Sequence, residues 1–500
     1  TRRSCGGILM VKRYLDQITL EKAVETIKNI PPVIGSRHLP LIDACGHILA
    51  ESLYAKYSVP EVPTSAMDGF AVRSQETSSA GDQNPVTLTD FARVNTGNVI
   101  AKGFDAVIKV EDAWFDEQNL NQIVIRKSIN PGTNIRPPGE DIKKDQLILP
   151  SGTKILPFNI GAIAAYGFTS VKVKRILIGI IPTGTELITP GTRPAPGQVV
   201  ESNTLMAEAY LRQFGADVVR YPPVTDNKVL IRGALEKAVD ECDIIIVSAG
   251  SSAGTKDFTA SVISEVGELL FHGIAVKPGK PAMVGIINKK PVFGLPGYPL
   301  AAQTVLRLLV SPLLENWGWS GPEQKTIPIV LGSPVASDGG VDEFSLYAAG
   351  RIGDNYTAIP LSRGASVQMT GVRSNCIVHI PLGVEGYETG EVVDALLLVE
   401  KEELDQTVLI CGVDNGSLEH LTEKCMKEHI RIRVGPASGI SALILLKNES
   451  CHLASVQNGE DCSFCGPEYQ TITIGDLLLV AKKEIPGEKV RRVLDLAAEI

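Results

Sequence analysis

The sequence predicts a multidomain α/β protein with a central doubly wound sheet. The chain has 500 residues, which is too long for one compact core. Buried apolar strands alternate with helical patterns between about residues 175 and 322, as in a parallel sheet with helices on both faces. Short apolar runs separated by Gly- and Pro-rich turns precede and follow that region, and they indicate β domains.

These changes of pattern divide the chain into five predicted regions. They are an N-terminal domain (10–54 and 150–174), a β-rich insert domain (55–149), the central α/β domain (175–322), a small barrel or sandwich (323–400) and a small C-terminal α/β unit (406–500). Glu400–Asp405 is predicted as a charged linker. Thr1–Leu9 are left out of the prediction, because a regular segment begins at Met10.

The N-terminal domain contains three segments with predicted secondary structure. Ile18–Ile30 has helical periodicity, with Thr19 as the N-cap and the following Pro31-Pro32 as the stop. Leu39–Leu53 is predicted as a short strand followed by a helix. Asn159–Gly167 is predicted as a helix.

The central domain alternates strands and helices. The predicted strands are Arg175–Ile181, Asp217–Tyr221, Asp243–Ser248, Pro281–Ile287 and Pro291–Gly294, and the predicted helices are Asn203–Phe214, Lys228–Val239, Phe258–Glu265 and Pro299–Leu314. We therefore expect ligands at the carboxyl ends of these strands.

Composition excludes several classes of function. A net charge of −9 and a pI near 5.5 argue against a general nucleic-acid binder. No apolar run approaches the roughly 20 residues that span a bilayer, so no membrane partner is expected. Nine scattered cysteines without a secretion signal indicate free thiols and a cytoplasmic location. Cys462 and Cys465 form one CxxC, and two loop thiols are favoured over a four-ligand zinc site.

Four of the five predicted strand ends of the central domain are followed by residues that could bind an anion or a metal. They are Thr183, Gly184 and Glu186 in "PTGTEL", Asp226 in "PPVTDNK", Ser251, Ser252, Gly254 and Asp257 in "SAGSSAGTKDF", and Pro296, Gly297 and Pro299 in "GLPGYPLA". Gly-rich turns allow backbone N–H groups to approach an anion. The acids would suit a divalent metal bridging to phosphate.

Two lysines, Lys277 and Lys280, flank Pro278-Gly279 and could hold phosphate or another oxyanion. Helix capping is the alternative for Asp226 and Asp257, since both stand just before predicted helices. Asp68 in "VPTSAMDGFAV" reads by itself as a turn acid. The residues alone favour an α/β enzyme for a phosphorylated ligand.

Six ordered motifs then give a specific resemblance. They are "SAMDGFAV", "PPGEDI", "PTGTEL", "SAGSSAGTKDFT", "AVKPGKP" and "GLPGYP". Between about Tyr14 and Val399 the chain resembles the molybdopterin molybdenumtransferases, the MoeA-type insertases that include the E domain of gephyrin. The resemblance implies an elongated N-terminal region with a β-rich insert, a MogA-like (adenylyltransferase-like) central domain and a β-barrel domain.

The resemblance also implies the activity. Adenylylated molybdopterin and molybdate would be the substrates, AMP would be released, and Mg²⁺ or another divalent cation would take part. It implies a homodimer whose active site lies between the central domain of one subunit and the insert of the other. Other cofactor-biosynthesis proteins are possible partners.

Residues of this sequence that match the family motifs are assigned the roles that the resemblance implies. The resemblance implies catalytic roles for Asp68, Thr96, Glu186, Asp226 and Asp257, metal binding by Glu186, Asp226 and Asp257, and substrate binding by Thr183, Gly184, Ser251, Ser252, Gly254, Lys277, Lys280, Pro296, Gly297 and Pro299. Five positions depart from the family pattern, namely Thr185, Ala249, Tyr298, Ala301 and Leu346. From about Thr407 the chain resembles part of a periplasmic-binding-protein-like domain. The resemblance leaves two roles open for this unit, a ligand sensor or a docking or dimer-stabilising remnant.

Two alternatives remain beside the insertase. A molybdopterin adenylyltransferase would share the central domain, but the insert and the barrel argue against it. A binding or scaffold protein with a weakened site would explain Tyr298, Ala301 and Leu346.

Overall fold

The computed structural model describes residues 17–116, 119–248, 258–460, 462, 466–484 and 487–500. Residues 35–175 form one compact unit, and the chain before 35 together with 176–500 forms another. Among the described residues, no helix is both long and apolar enough to cross a membrane.

The first helix, α1 (Leu20–Lys28), belongs to the larger unit. The Thr19 hydroxyl accepts a hydrogen bond from the backbone N–H of Lys22 at 3.3 Å, so Thr19 is the N-cap as predicted. Ala23 and Ile27 are fully buried on one face. The helix prediction for this segment is confirmed.

The unit of residues 35–175 is built from short strands and one helix. In chain order they are β1 (Gly35–Pro40), β2 (Leu53–Tyr54), β3 (Thr64–Ser65), β4 (Gly69–Val72), β5 (Val86–Leu88), β6 (Ala92–Val94), β7 (Ala106–Lys109), β8 (Ala113–Asp116), β9 (Asn119–Ile125), β10 (Ile135–Arg136), β11 (Leu147–Leu149), α2 (Pro157–Ala165) and β12 (Ser170–Arg175). Strand β1 pairs with β12, and the insert holds two three-stranded sheets, β6-β4-β7 and β5-β9-β8. The turn-dense β insert and the helix near Asn159–Gly167 are confirmed.

The helix predicted within Leu39–Leu53 is wrong. The chain makes one 3-10 turn at Leu41–Asp43, and Gly46 then turns with a φ of 82°. The N–H groups of Leu49 and Ala50 donate to the carbonyls of Thr153 and Lys172 instead of to their own segment. Long-range pairing with the returning chain therefore overrides the local helical pattern.

The central domain contains β13 (Leu177–Pro182), β14 (Leu187–Ile188), β15 (Val199–Val200), α3 (Asn203–Arg212), β16 (Asp217–Arg220), α4 (Lys228–Glu241), β17 (Ile244–Ser248), α5 (Phe258–Val266), β18 (Glu268–His272), β19 (Val276–Lys277), β20 (Met283–Ile287), β21 (Lys290–Leu295), α6 (Pro299–Val305) and α7 (Ser311–Asn316). A π-helical segment, Leu306–Val310, joins α6 to α7. The six-stranded sheet has the order β16-β13-β17-β21-β20-β18. Helices α4 and α5 pack on one face, in a core with Ile245 and Val247.

The sheet is parallel only in part. Strands β16, β13, β17 and β21 are parallel, but β20 runs antiparallel to both β21 and β18. Asn288 and Lys289 both adopt positive φ, at 50° and 67°, in the two-residue turn between β20 and β21. Such a turn makes a hairpin, so the fully parallel sheet expected from the strand pattern is corrected at this edge.

The region after the central domain is a closed barrel. It contains β22 (Thr326–Leu331), β23 (Val335–Ala336), β24 (Asp342–Ile352), β25 (Asn355–Pro360), α8 (Gln368–Arg373), β26 (Cys376–Ile380), β27 (Gly386–Tyr387) and β28 (Val392–Leu397). The order β24-β25-β22-β28-β26 closes because β26 also pairs with β24. The structure thus selects the barrel over the sandwich.

The C-terminal unit is a second α/β layer. It contains α9 (Lys401–Asp405), β29 (Thr407–Gly412), α10 (Gly416–Met426), β30 (Arg431–Pro436), α11 (Gly439–Lys447), β31 (Leu453–Gln457), β32 (Tyr469–Ile474), β33 (Leu477–Lys482) and α12 (Glu488–Ala498). Its sheet has the order β30-β29-β31-β33-β32. The stretch predicted as a linker, Glu400–Asp405, contains the helix α9. Leu404 of this helix is fully buried in the barrel core, so the segment packs against the barrel.

Candidate active-site cleft

A cavity of about 810 Å³ opens at the carboxyl ends of the three neighbouring strands β13, β17 and β21. Seven residues predicted as site residues line it: Thr183, Glu186, Lys277, Lys280, Pro296, Gly297 and Pro299. All seven belong to the larger unit. A strand-end cleft is where an open α/β sheet places its ligand.

The loop after β13 is fixed by the neighbouring strand. The backbone N–H and the hydroxyl of Thr183 both donate to the Ser248 carbonyl, at 2.9 and 3.2 Å. Gly184 has a φ of 151°, and a Cβ there would lie 2.9 Å from Oε1 of Glu186. A glycine is therefore needed to turn the chain so that Glu186, which is exposed, reaches the cleft.

Asp226 is not a helix cap. The N-cap of α4 is Asn227, whose side chain accepts from the N–H groups of Val229 and Leu230. The backbone N–H of Asp226 donates to the hydroxyl of Thr185 at 3.3 Å, so the two loops are adjacent. The Asp226 carboxylate is exposed, although Asp226 and Gly184 do not themselves line the cavity.

The "GLPGYP" loop forms another part of the same wall. The Asn203 side-chain amide donates to the Gly297 carbonyl at 2.7 Å, which ties the start of α3 to this loop. Tyr298, one of the departures from the family pattern, lines the cleft and is 61% exposed. Its ring is therefore available to a ligand.

The two lysines differ in their surroundings. Lys277 lies in β19, which pairs with the barrel strand β24 so that Lys277 stands opposite Glu343. Its ammonium lies 3.3 Å from a carboxylate oxygen of Asp338 and 3.5 Å from one of Glu343. Lys280 is exposed at the cleft. Lys277 is thus held by carboxylates of the barrel, and both lysines face the same cavity.

Several barrel residues of the cleft were missed by sequence reasoning: Asp338, Arg363, Ser366 and Gln368 line it, and Glu343 lies behind Lys277. Glu343 is 2% exposed and accepts hydrogen bonds from the hydroxyls of Ser337 and Ser345, at 2.7 and 3.0 Å. The Arg363 Nε lies 3.5 Å from Oε1 of Glu343, whereas the Lys277 ammonium lies near Oε2. A buried carboxylate with these partners fixes the positions of two cations.

Two of the three residues predicted to bind a metal, Glu186 and Asp226, lie within the described residues. Glu186 and Asp226 stand on adjacent loops, and their carboxylates are ligands that Mg²⁺ accepts. Within the described ranges, no three His, Cys, Asp or Glu side chains cluster as a metal site. Two carboxylates fit the Mg²⁺ sites that rely on substrate phosphates and water for their other ligands.

Four predicted residues of the glycine-rich loop, Ser251, Ser252, Gly254 and Asp257, lie outside the described residues, as do Ala249 and Cys465. Their assignments stay predictions.

Asp68 and Thr96 come together in the unit of residues 35–175. The backbone N–H and the hydroxyl of Thr96 donate to the same Asp68 oxygen, at 2.6 and 3.0 Å. These bonds, the backbone one first, lower the pKa of the Asp68 carboxyl below its ordinary value. Gly69 allows this placement, because a Cβ there would lie 1.9 Å from the Ile108 carbonyl oxygen of β7.

Fold and cleft together define a multidomain α/β protein with lysines, acids and Gly-Pro loops at the carboxyl edge of its central sheet. Three family models match in order: the MoeA N-terminal region (domain I and II) at residues 18–167, a probable molybdopterin binding domain at 179–316, and the MoeA C-terminal region (domain IV) at 328–398. The chain belongs to the MoeA family of molybdenum cofactor biosynthesis.

Relatives and solved structures agree with this assignment. The chain is 32% identical over 314 residues to the molybdopterin molybdenumtransferase of Haemophilus influenzae, covering 60% of this chain and 77% of that protein. It is 28% identical over 407 residues to the enzyme of the same name from Bacillus subtilis, covering 77% and 95%. The crystal structure of a molybdopterin biosynthesis MoeA protein from Pyrococcus horikoshii matches with a TM-score of 0.64 and 31% identity, over 77% of this chain and all of that one.

Proposed function

We propose that this protein is a molybdopterin molybdenumtransferase that inserts molybdate into adenylylated molybdopterin, releases AMP and requires Mg²⁺. The supporting observation is that seven of the predicted residues line one cleft of about 810 Å³. Two lysines, an exposed glutamate and the Gly-Pro loop face that cavity, which is large enough for a pterin phosphate.

The roles follow from the chemistry of the side chains. Lys277 and Lys280 hold the molybdate oxyanion by charge, and carboxylates of the barrel keep Lys277 in place. Glu186 and Asp226 would hold Mg²⁺, which when bound would supply positive charge to the phosphoanhydride of the substrate.

The protein is proposed to act as a homodimer in the cytoplasm, with Asp68 and Thr96 of one subunit completing the site of the other. The family resemblance supports this arrangement, and the hydrogen bonds from Thr96 to Asp68 hold the two side chains together within their unit. Seven of the nine cysteines are described, and all seven are free thiols.

The direct test incubates the purified protein with adenylylated molybdopterin, molybdate and Mg²⁺, and follows AMP and active cofactor. We expect both products. If neither product forms, the proposal is contradicted. Transfer of AMP from ATP to molybdopterin would indicate the adenylyltransferase instead. Ligand binding without turnover, and failure to restore cofactor synthesis in an insertase-deficient strain, would indicate the scaffold.

Mixed dimers test the shared site. Asp68→Ala and Lys277→Ala each disable the site, but a heterodimer of the two contains one site with both residues intact. If the residues come from different subunits, random mixing restores about a quarter of the wild-type rate. No recovery in verified heterodimers would place Asp68 outside the partner's site.

A further inference from the structure

The C-terminal unit lies beyond the three matched family models, which end at residue 398. It is nevertheless continuous with the barrel. One hydrophobic core joins Ala348, Ile359 and Leu361 of the barrel to Leu409 and Leu443 of the unit. Such a shared core holds the two parts in a fixed relation.

One short segment of the barrel lies between this unit and the cleft. We call Ala365–Arg373, which includes α8, the cleft-wall segment. At its first residues, Ala365, Ser366 and Gln368 line the cavity. The Gln368 amide donates to the Ser202 hydroxyl at 2.7 Å, so this end is attached to the central domain.

The other end of the cleft-wall segment is held by the C-terminal unit. The guanidinium of Arg433 in β30 donates to the Val372 carbonyl at 2.9 Å and to the Glu403 carboxylate at 2.9 Å. Its side chain is 19% exposed. Charged donors to the last carbonyls of a helix stabilise that end.

A second contact repeats this attachment. Arg373, the last residue of α8, pairs with Asp414 at 2.8 Å. Asp414 lies two residues past the carboxyl end of β29, where a parallel sheet would bind a ligand. Here that position is occupied in part by the protein's own α8.

We propose that the C-terminal unit is a brace for the active-site cleft, and that Arg433 and the Arg373–Asp414 pair are positioning residues acting through α8. The inference rests on the proposed function for its effect on turnover. Without the contacts from Arg433 and Asp414, α8 is attached to the barrel and to the cleft but no longer to the C-terminal unit. Ser366 and Gln368 then lose their fixed place in the wall, and the KM for adenylylated molybdopterin rises more than kcat falls.

The test compares matched variants of the full chain. Arg433→Met keeps the apolar stem of the side chain but removes both hydrogen bonds. Arg492→Met is the control, because Arg492 also makes a paired contact in this unit, with Glu428, but does not touch α8. We expect about a tenfold higher KM for Arg433→Met and an unchanged KM for Arg492→Met.

A charge exchange separates positioning from a general loss of stability. Arg373→Asp and Asp414→Arg should each raise KM, and the double variant should restore it. Amide hydrogen exchange of residues 365–374 should become faster in Arg433→Met and in each single variant, and return in the double variant. If the contacts only stabilise the fold, the variants should lower the free energy of unfolding and leave KM unchanged.

The two proposals fail in different ways. If the wild-type chain releases no AMP, the proposed function is contradicted, and hydrogen exchange at residues 365–374 still decides the brace. Unchanged exchange and unchanged KM in Arg433→Met would overturn the brace.

Discussion

The cleft has two walls of different origin. The central-sheet wall consists of strand-end loops with Thr183, Glu186 and Pro296–Pro299, each following its strand along the chain. The barrel wall consists of Asp338, Arg363 and Gln368, with Glu343 buried behind it. The central-sheet wall presents backbone groups of glycine-containing turns to the cavity. The barrel wall contains the carboxylates that pair with Lys277.

The difference shows how the work of binding is divided. The central-sheet wall is held by backbone turns and by hydrogen bonds within the central domain, from Thr183 to the Ser248 carbonyl and from Asn203 to the Gly297 carbonyl. The barrel wall depends on β19 pairing with β24, which brings Lys277 opposite Glu343. Lys277 therefore belongs to the central domain by sequence and to the barrel by its contacts.

The largest expected effect comes from Lys277→Ala, which removes the cation shared by both walls. We expect AMP release to fall about 1000-fold, or about 4 kcal/mol of transition-state stabilisation, because a placed charge acts on the reacting anion. The control is Lys325→Ala, which breaks an ion pair with Glu400 away from the cleft. Equal rates of AMP release in the two variants would show that Lys277 takes no part in the reaction.

The junction between the barrel and the C-terminal unit should be sensitive to acid. His452 of the C-terminal unit accepts a hydrogen bond from the Leu409 N–H and contacts the barrel at the Arg351 carbonyl, both at 2.9 Å. Burial first, and then the Lys489 charge, lower the pKa of His452 from about 6.5 to about 4. Between those values the unfolded chain binds more protons, so stability present above pH 6.5 is lost as the pH falls toward 4.

The loss due to His452 is on the order of 3 kcal/mol. Urea unfolding at pH 7 and pH 4.5 should show a smaller decrease for His452→Gln than for the wild type. His420→Gln, an exposed histidine in α10, should behave like the wild type. A His452→Gln chain that loses as much stability as the wild type would show that this imidazole is not buried neutral.

Sequence reasoning reached one wall and not the other for a physical reason. A strand, a Gly turn and a helix are local, so the carboxyl edge and the residues Thr183, Glu186 and Pro296 could be predicted from the order of the chain. Asp338 and Arg363 reach the cleft through strand pairings between distant segments, which no local pattern encodes. The Thr96 contact with Asp68 likewise spans 28 residues, and only the family motif indicated it.

Glu343→Gln tests the barrel wall directly. The amide keeps an oxygen for the Ser345 hydroxyl but leaves Lys277 and Arg363 without their shared charge. We expect a loss of about 2 kcal/mol in the free energy of unfolding and about tenfold slower AMP release. Glu400→Gln is the exposed control, with little change in either quantity. If stability falls while AMP release stays normal, Glu343 serves the barrel fold only.

Asn203→Ala tests the central-sheet wall and should have the smallest effect. It removes the 2.7 Å hydrogen bond to the Gly297 carbonyl and leaves the loop held by its two prolines. We expect about 1 kcal/mol, seen as an approximately fivefold rise in KM for adenylylated molybdopterin, with kcat nearly unchanged. Asn227→Ala, which removes the α4 cap outside the cavity, should lower stability without that rise. If Asn203→Ala slowed the reaction as strongly as Glu343→Gln, the two walls would contribute alike, and the distinction between a turn-built wall and an ion-pair wall would not describe how this cleft works.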